Sequence, residues 1–544
     1  MSIFTLRQNK NLLFLIGALF IIALYTALHQ LPLRAEEPRR AIVALEMLLS
    51  GNYWTPTING EFYYNKPPIY NWLLSLLFAG FGTADWVVRF LSPTSLLLTA
   101  LINYCFVRKY LSEQTAILSS LCYLLSGDIV FYLSMLGEID LFYTLLVYLQ
   151  IIAIFHYYQQ QRFAQLFLLS YLFMTIGLLT KGLPSIAFQG ITLLTMAFYQ
   201  RQYRWLFSLQ HLAGILLFSL LFGGYFYIYS HYNNPITYLL KLFTESSQHT
   251  AIQKGWWQSL EHLFLFPLNF AKIFLPWSFL ALFLFKQKVR NELKQQPLLR
   301  FAAYFVLSNI MIYWLSPGTR DRYLYMFLPF VAMIVTHFYD EKHPLHNYFR
   351  HILSGLLLLV SGALILAQVD AQKWQLQYAV CSPLWFLLPV VGIFYLHLSH
   401  RYNTFLLLCL LVVVLRCSYN LVTLPVQAAT IDQRIYWEST DKILQITQQQ
   451  PIYLYGKLHT ESAYFKKGEQ ALIQVDYQQP PFIPFQTSFY LSRHNRHIVQ
   501  RTNEPQKNRF YIAPQNELPT DSIKVLYSFH EKRSNNMYHL FQFQ

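Results

Sequence analysis

Charge is what this sequence has least of. Of its 544 residues only 12% are Asp, Glu, Lys or Arg, while 55% are hydrophobic and 18% aromatic. Soluble domains carry roughly twice that charged fraction, so a wholly water-exposed globular protein is excluded. Cysteine is scarce too. Cys105, Cys122, Cys381, Cys409 and Cys417 lie within or beside apolar runs, without CxxC spacing, and none falls in the C-terminal tail. That pattern argues against a disulfide framework or a cysteine-bound metal. No basic patch interleaves with base-stacking aromatics, so the net charge of +15 does not indicate a nucleic-acid partner. The first apolar run has a basic flank but no small-residue cleavage pattern, and reads as an uncleaved helix rather than a signal peptide. No short internal repeat is visible.

What is present is long apolar runs, for example 11–28, 206–229 and 352–366, near the length a helix takes to cross a bilayer core. About thirteen membrane helices are expected, from 11–28 to 405–424. Basic residues fall in alternate short connections: Arg7/Lys10, Arg108/Lys109, Arg162, Arg201/Arg204, Lys286/Lys288/Arg290/Lys294, Lys342/Arg350 and Arg401. The positive-inside rule puts these in the cytoplasm. An odd helix number then leaves the tail on the other side.

Three regions break the apolar pattern on that outer side. In the loop 29–85, residues 39–50 have helical spacing ended by Gly51, and 71–81 is apolar but too short to span. The segment 231–262 is rich in aromatics, Gln and His. The tail, from about 425, reads as a helix over 434–448 followed by strands near 452–455, 471–475, 489–491, 510–513, 525–528 and 537–543. Arg493-His-Asn-Arg-His497 reads as a solvated loop. The expectation is a membrane domain over 1–424, with outer loops 29–85 and 231–262, and a small α/β domain over 425–544.

Chemistry-bearing residues concentrate on the outer side. Arg34-Ala-Glu36-Glu37-Pro-Arg39-Arg40 places two carboxylates beside guanidinium groups. It is either a salt-bridged helix start or a general base beside a phosphate-binding arginine; spacing leaves both open. Gly137-Glu138-Ile-Asp140 brings further carboxylates to a membrane helix end, a costly placement that marks a functional site by default. Lys66, Lys181, Arg320 and Arg322 are cations on a side otherwise poor in them, as a lipid phosphate requires. Glu245 and His249, with His262, are weak candidates for a divalent ion, and no strong zinc spacing exists.

Taken together, Arg34 to Arg40, Glu46-Met47 through Trp54-Thr-Pro56, Asn59-Gly60, Tyr63-Tyr64-Asn65-Lys66-Pro67, Glu138-Ile-Asp140, Thr180-Lys181-Gly182, Leu275-Pro276-Trp277 and Ser316 through Pro329 resemble the aminoarabinose transferase-like glycosyltransferases. These are GT-C class membrane enzymes related to protein O-mannosyltransferases. The resemblance implies a mainly α-helical polytopic GT-C fold, a periplasmic C-terminal domain and an inner-membrane location. It places the motif carboxylate on Glu36, with Glu37 and Arg39 beside it, the second on Asp140, the phosphate-binding lysine on Lys66 and an active-site tyrosine on Tyr63. Lys181, Arg320 and Tyr323 fall where the family has further lipid-phosphate or cavity contacts. Glu36 stands in place of the usual Asp, Arg40 of Tyr, and Asn65 of Glu.

The implied reaction moves a sugar from a polyprenyl-phosphate donor to lipid A, a protein hydroxyl or another envelope glycan. Either Glu36 or Asp140 serves as base where the acceptor is a hydroxyl. The rival from another class is a transporter or flippase for lipid-linked sugars. It predicts ionisable groups near the midplane and paired halves, whereas here they cluster at outer helix ends.

Overall fold

The computed structural model describes residues 9–247, 256–286, 289–400, 402–456, 484–502, 504–520, 522–531 and 535–544, with the backbone alone at 245–247, 256 and 290. Two compact units emerge. One is helical, comprising Met1–Leu28, Phe90–Gly223 and Phe243–Val426; the other is mixed, comprising His29–Arg89, Gly224–Leu242 and Gln427–Gln544. The tail is thus grouped with two earlier polar segments.

Among the described residues, seven helices are long and apolar enough to cross a membrane, or nine if each of two bent pairs is one span. The expectation of about thirteen began with the run 11–28, where the apolar helix Lys10–Tyr25 stops at 16 residues. Hydropathy measures a run, not where it bends. Glu113–Leu124 and Gly127–Met135 meet at 45°, and Trp257–Ile273 and Trp277–Phe285 at 113°. At the first break Gly127 donates its N–H to the Leu275 carbonyl at 2.7 Å. A Cβ on Gly127 would meet that oxygen at 3.1 Å, so glycine permits the approach.

Ile139–Gln159 and Phe163–Lys181 form an antiparallel hairpin, of 21 and 19 residues, across a three-residue connection. Near-equal lengths at 1.5 Å per residue bring the start of the first beside the end of the second. Asp140 and Lys181 therefore meet.

The mixed unit begins with the helix Glu37–Ser50, which has Pro38 in its first turn and Gly51 at φ 69° as its C-cap. Next, β1 (Thr57–Ile58) pairs antiparallel with β2 (Glu61–Phe62). Asn59 and Gly60 between them have φ of 54° and 77°, the positive values a tight Asn-Gly hairpin turn demands. Ile69–Phe81 is a 13-residue apolar helix, too short to span.

In the tail, β3 (Ile452–Tyr455), β4 (Arg501–Thr502), β5 (Phe510–Pro514), β6 (Ile523–Glu531) and β7 (Asn536–Phe543) form one sheet in the order β4-β3-β5-β7-β6. Both neighbours of β3 are parallel to it, while β5–β7 and β6–β7 are antiparallel. The helix Arg434–Thr447 is as expected, and the expected strand at 471–475 lies outside the described residues. Residues 489–491 are helical, within Phe485–Asn495. Three apolar residues in a row carry no period. Thr487, Ser488 and Ser492 are also buried, completing a helical face that hydropathy alone does not register. Nor is 493–497 a solvated loop. Arg493 pairs with Asp85 at 2.8 Å, and Tyr490 donates its hydroxyl to the same carboxylate at 3.0 Å.

Candidate functional site

In the helical unit, Asp140 and Lys181 form a buried ion pair, Oδ1 to Nζ 2.6 Å, with side chains 1% and 9% exposed. Local sequence explains the placement. Asp140 lies in the first turn of its helix and Lys181 is the last residue of its own; each charge complements the end of the macrodipole it sits on. Gly182, at φ 97°, turns the chain into the next helix at Pro184. The ammonium also lies 4.9 Å from the Tyr143 ring centre and 5.0 Å from that of Tyr323, so it sits between two aromatic rings. Among the described residues Asp140 Oδ2 has no hydrogen-bond partner.

The same cluster extends to Glu138, whose carboxylate is 3.7 Å from Arg322, and the Arg322 guanidinium lies 5.9 Å from the Tyr323 ring centre. Arg320 is exposed and apart from these contacts. Two further participants carry no role in the sequence reading. Tyr325 donates its hydroxyl to Asp128, in the short helix just past the break. The spacing Tyr323–Tyr325 and the acid in Ser126-Gly-Asp128 were the available signals.

In the mixed unit the adjacent glutamates differ sharply. Glu37 is fully buried and accepts from Arg89 Nε at 2.7 Å and Nη2 at 3.0 Å. It also takes the Arg34 backbone N–H at 2.8 Å, and Arg89 spends its other donors on the Leu31 and Pro32 carbonyls. That closed arrangement locks the chain's entry into the helix. Glu36 is 24% exposed and pairs with Arg39 at 2.7 Å, whose guanidinium lies 5.1 Å from the Phe485 ring centre. Ala35, just before it, is held at φ 53°, a conformation that costs roughly 1–3 kcal/mol for a non-glycine residue and is common at functional sites. Tyr63 is buried and accepts a hydrogen bond from Arg40 at 3.0 Å. Lys66 is half-buried just before Ile69–Phe81.

Glu46 falls within the helical stretch and a stretch of the family motif, with no chemical role assigned to it from sequence. It is completely buried, and accepts from the Thr57 hydroxyl at 2.7 Å and from the N–H groups of Asn59 and Gly60 at 2.6 and 3.2 Å. Burial pushes its carboxyl up to about 7, against the hydrogen bonds from Thr57, Gly60 and Asn59, with Glu61 adding repulsion. Because the folded-state value is raised above 4.5, the folded chain holds a proton that the unfolded chain has lost between about pH 4.5 and 7. This group's contribution to stability is therefore full below pH 4.5 and falls by about 3 kcal/mol as pH rises to 7. Thermal unfolding from pH 5 to 8 is expected to show that decline in the native protein and a flatter profile in Glu46→Gln.

His249 and the side chain of Glu245 lie outside the described residues. His262 bonds the Tyr313 carbonyl at 3.1 Å. Among the described residues no three His, Cys, Asp or Glu side chains converge as metal ligands do.

Comparison with known proteins adds to this geometry. The sequence pattern of the dolichyl-phosphate-mannose-protein mannosyltransferases matches residues 65–227. An undecaprenyl phosphate-alpha-4-amino-4-deoxy-L-arabinose arabinosyl transferase of Shewanella sediminis is 28% identical over 60% of this chain and 60% of its own length. One from Pseudomonas aeruginosa is 27% identical over 66% of this chain and 65% of its own. The chain thus spans less than two thirds of the length of either relative. A crystal structure of ArnT from Cupriavidus metallidurans, bound to undecaprenyl phosphate, superposes with a TM-score of 0.71 over 97% of both chains at 16% identity. The fold is the ArnT fold. The chain is aminoarabinose transferase-like in sequence as well, by its motifs and by these relatives.

Proposed function

We propose that this chain is a membrane glycosyltransferase that takes a sugar from a polyprenyl-phosphate donor and delivers it to lipid A on the periplasmic face of the inner membrane, where the tail also lies. The observation that carries the reading is the buried Asp140–Lys181 pair between two tyrosine rings. An incoming lipid phosphate competes with Asp140 for the Lys181 ammonium and frees a carboxylate where chemistry is to occur. The acceptor oxygen attacks C1, the C1–O bond to phosphate breaks, and its electron pair stays on polyprenyl phosphate. Lys181 and Arg322 offset the charge developing there. Lys66 and Arg39 are further candidate phosphate ligands, and Arg320 is an outlying one. With a hydroxyl acceptor, Asp140 or Glu36 takes its proton; an anionic phosphate acceptor requires no base, and the carboxylates then orient the sugar. Tyr63 and Tyr323 are assigned to shaping the sites that hold the substrates.

The test is mass spectrometry of lipid A and of polyprenyl-phosphate sugars from cells with and without the gene. Loss of a sugar from lipid A, with its donor accumulating, is expected. Accumulated donor with unchanged lipid A would redirect the reading to a protein or glycan acceptor. No change in either pool would count against the transferase reading.

A further inference from the structure

Behind the Asp140–Lys181 pair, the helices Ile139–Gln159, Phe163–Lys181 and Pro184–Gln200 are joined by a string of side-chain hydrogen bonds. The Tyr143 and Ser185 hydroxyls share one at 2.9 Å. Gln150 donates from Nε2 to the Ser185 carbonyl at 3.3 Å and to Gln189 Oε1 at 2.9 Å. Gln189 donates in turn to the Ser170 hydroxyl at 2.8 Å. All five residues are at most 2% exposed. Polar groups buried in a membrane bundle are costly unless bonded, and leucine would fill the same space without that cost. What the string adds is register, because its bonds are all satisfied in one relative position of the three helices. Gly177 shows how close the fit is. It stands one turn before Lys181, and a Cβ there would meet Ser185 Oγ at 2.6 Å; glycine leaves the room that this hydroxyl occupies.

Tyr143 is the member of the string that reaches the proposed site. Its hydroxyl is anchored on Ser185, and its ring centre lies 4.9 Å from the Lys181 ammonium. Asp140 fixes that ammonium from a second direction, at 2.6 Å, and this is the contact an arriving phosphate loosens in the reaction proposed above. A neutral ring face does not compete with phosphate for the charge, so the aromatic contact persists through the exchange. We propose that Tyr143 is a positioning residue for the donor phosphate: tied through Ser185 to Gln150, Gln189 and Ser170, its ring keeps the Lys181 ammonium in place as the phosphate replaces Asp140. The inference rests on the reading of Lys181 as a donor-phosphate ligand, and deepens it by naming what holds that ligand still.

The experiment measures binding of undecaprenyl phosphate, and of undecaprenol as its uncharged control, to the purified full-length chain in neutral detergent. Tyr143→Leu removes the ring. It should bind undecaprenyl phosphate about tenfold more weakly and undecaprenol as the native chain does. Tyr143→Phe and Ser185→Ala keep the ring and cut its anchor, so each should cost about threefold. The double variant should cost no more than either, because both changes remove the same bond. Equal loss of the two ligands in Tyr143→Leu would make Tyr143 a packing residue and overturn the proposal. Native phosphate affinity in that variant, or additive losses in the double, would overturn it too. Where Tyr143→Leu fails to fold, the cycle of Tyr143→Phe and Ser185→Ala decides alone. The chain carrying Lys181→Met with Asp140→Asn separates this inference from the reading beneath it. Native affinity there removes Lys181 as a phosphate ligand and the inference with it; Lys181-dependent binding that is indifferent to Tyr143 overturns the inference alone.

Discussion

Lys181→Met is expected to cost roughly 3–5 kcal/mol of stability, because it strands the Asp140 carboxylate in a buried site. The partner side chains are 9% and 1% exposed, so little water reaches either charge. Adding Asp140→Asn to that variant should recover most of the loss, since a neutral pair of similar volume carries no uncompensated charge. Sugar transfer should not return. If the pair is the site of donor phosphate binding and carboxylate chemistry, the double variant melts near the native temperature yet is reduced by at least ~100-fold in turnover, the lower range for a lost acid–base group. Thermal unfolding and a transfer assay on the same preparations decide the matter. A double variant restored in both would make the pair a structural staple and would withdraw the proposed role of Asp140.

Asp140 and Lys181 were each legible as outer-side chemistry, and the direct pair between them is what the hairpin adds. Two apolar runs of similar length joined by a short polar connection form a hairpin, and a hairpin brings its ends together. The bent spans were not legible in the same way. Around Ser126-Gly127 the apolar character continues while the backbone turns to meet Leu275, a contact between residues far apart in the chain. The helix Phe485–Asn495 was misread because strand and helix differ by period, and three consecutive apolar residues have none. The burial of Glu46 was hidden for another reason. Its partners are the Thr57 hydroxyl and two backbone N–H groups of a hairpin turn, and backbone donors leave no mark on side-chain pattern.

The two adjacent glutamates show how far motif position can mislead, and they are expected to respond in opposite ways. Glu37→Gln should destabilise the fold by roughly 3–5 kcal/mol, because it leaves the Arg89 guanidinium buried with half of a bidentate partner. Arg89 is 2% exposed, so water cannot replace what is lost. The protein that does fold should keep near-native KM for donor, since Glu37 is enclosed by Arg34 and Arg89 and turned away from solvent. Glu36→Gln removes a partly exposed ion pair with Arg39, an interaction generally worth 0–1 kcal/mol, so melting should hardly change. If Glu36 holds the sugar or takes the acceptor proton, kcat should fall about 100-fold or more. Glu36→Asp distinguishes charge from reach. It keeps the carboxylate but draws it back by about one methylene, and partial activity there would tie catalysis to its position. Native turnover in Glu36→Gln would return the Glu36–Arg39 pair to the simpler role of a surface helix start.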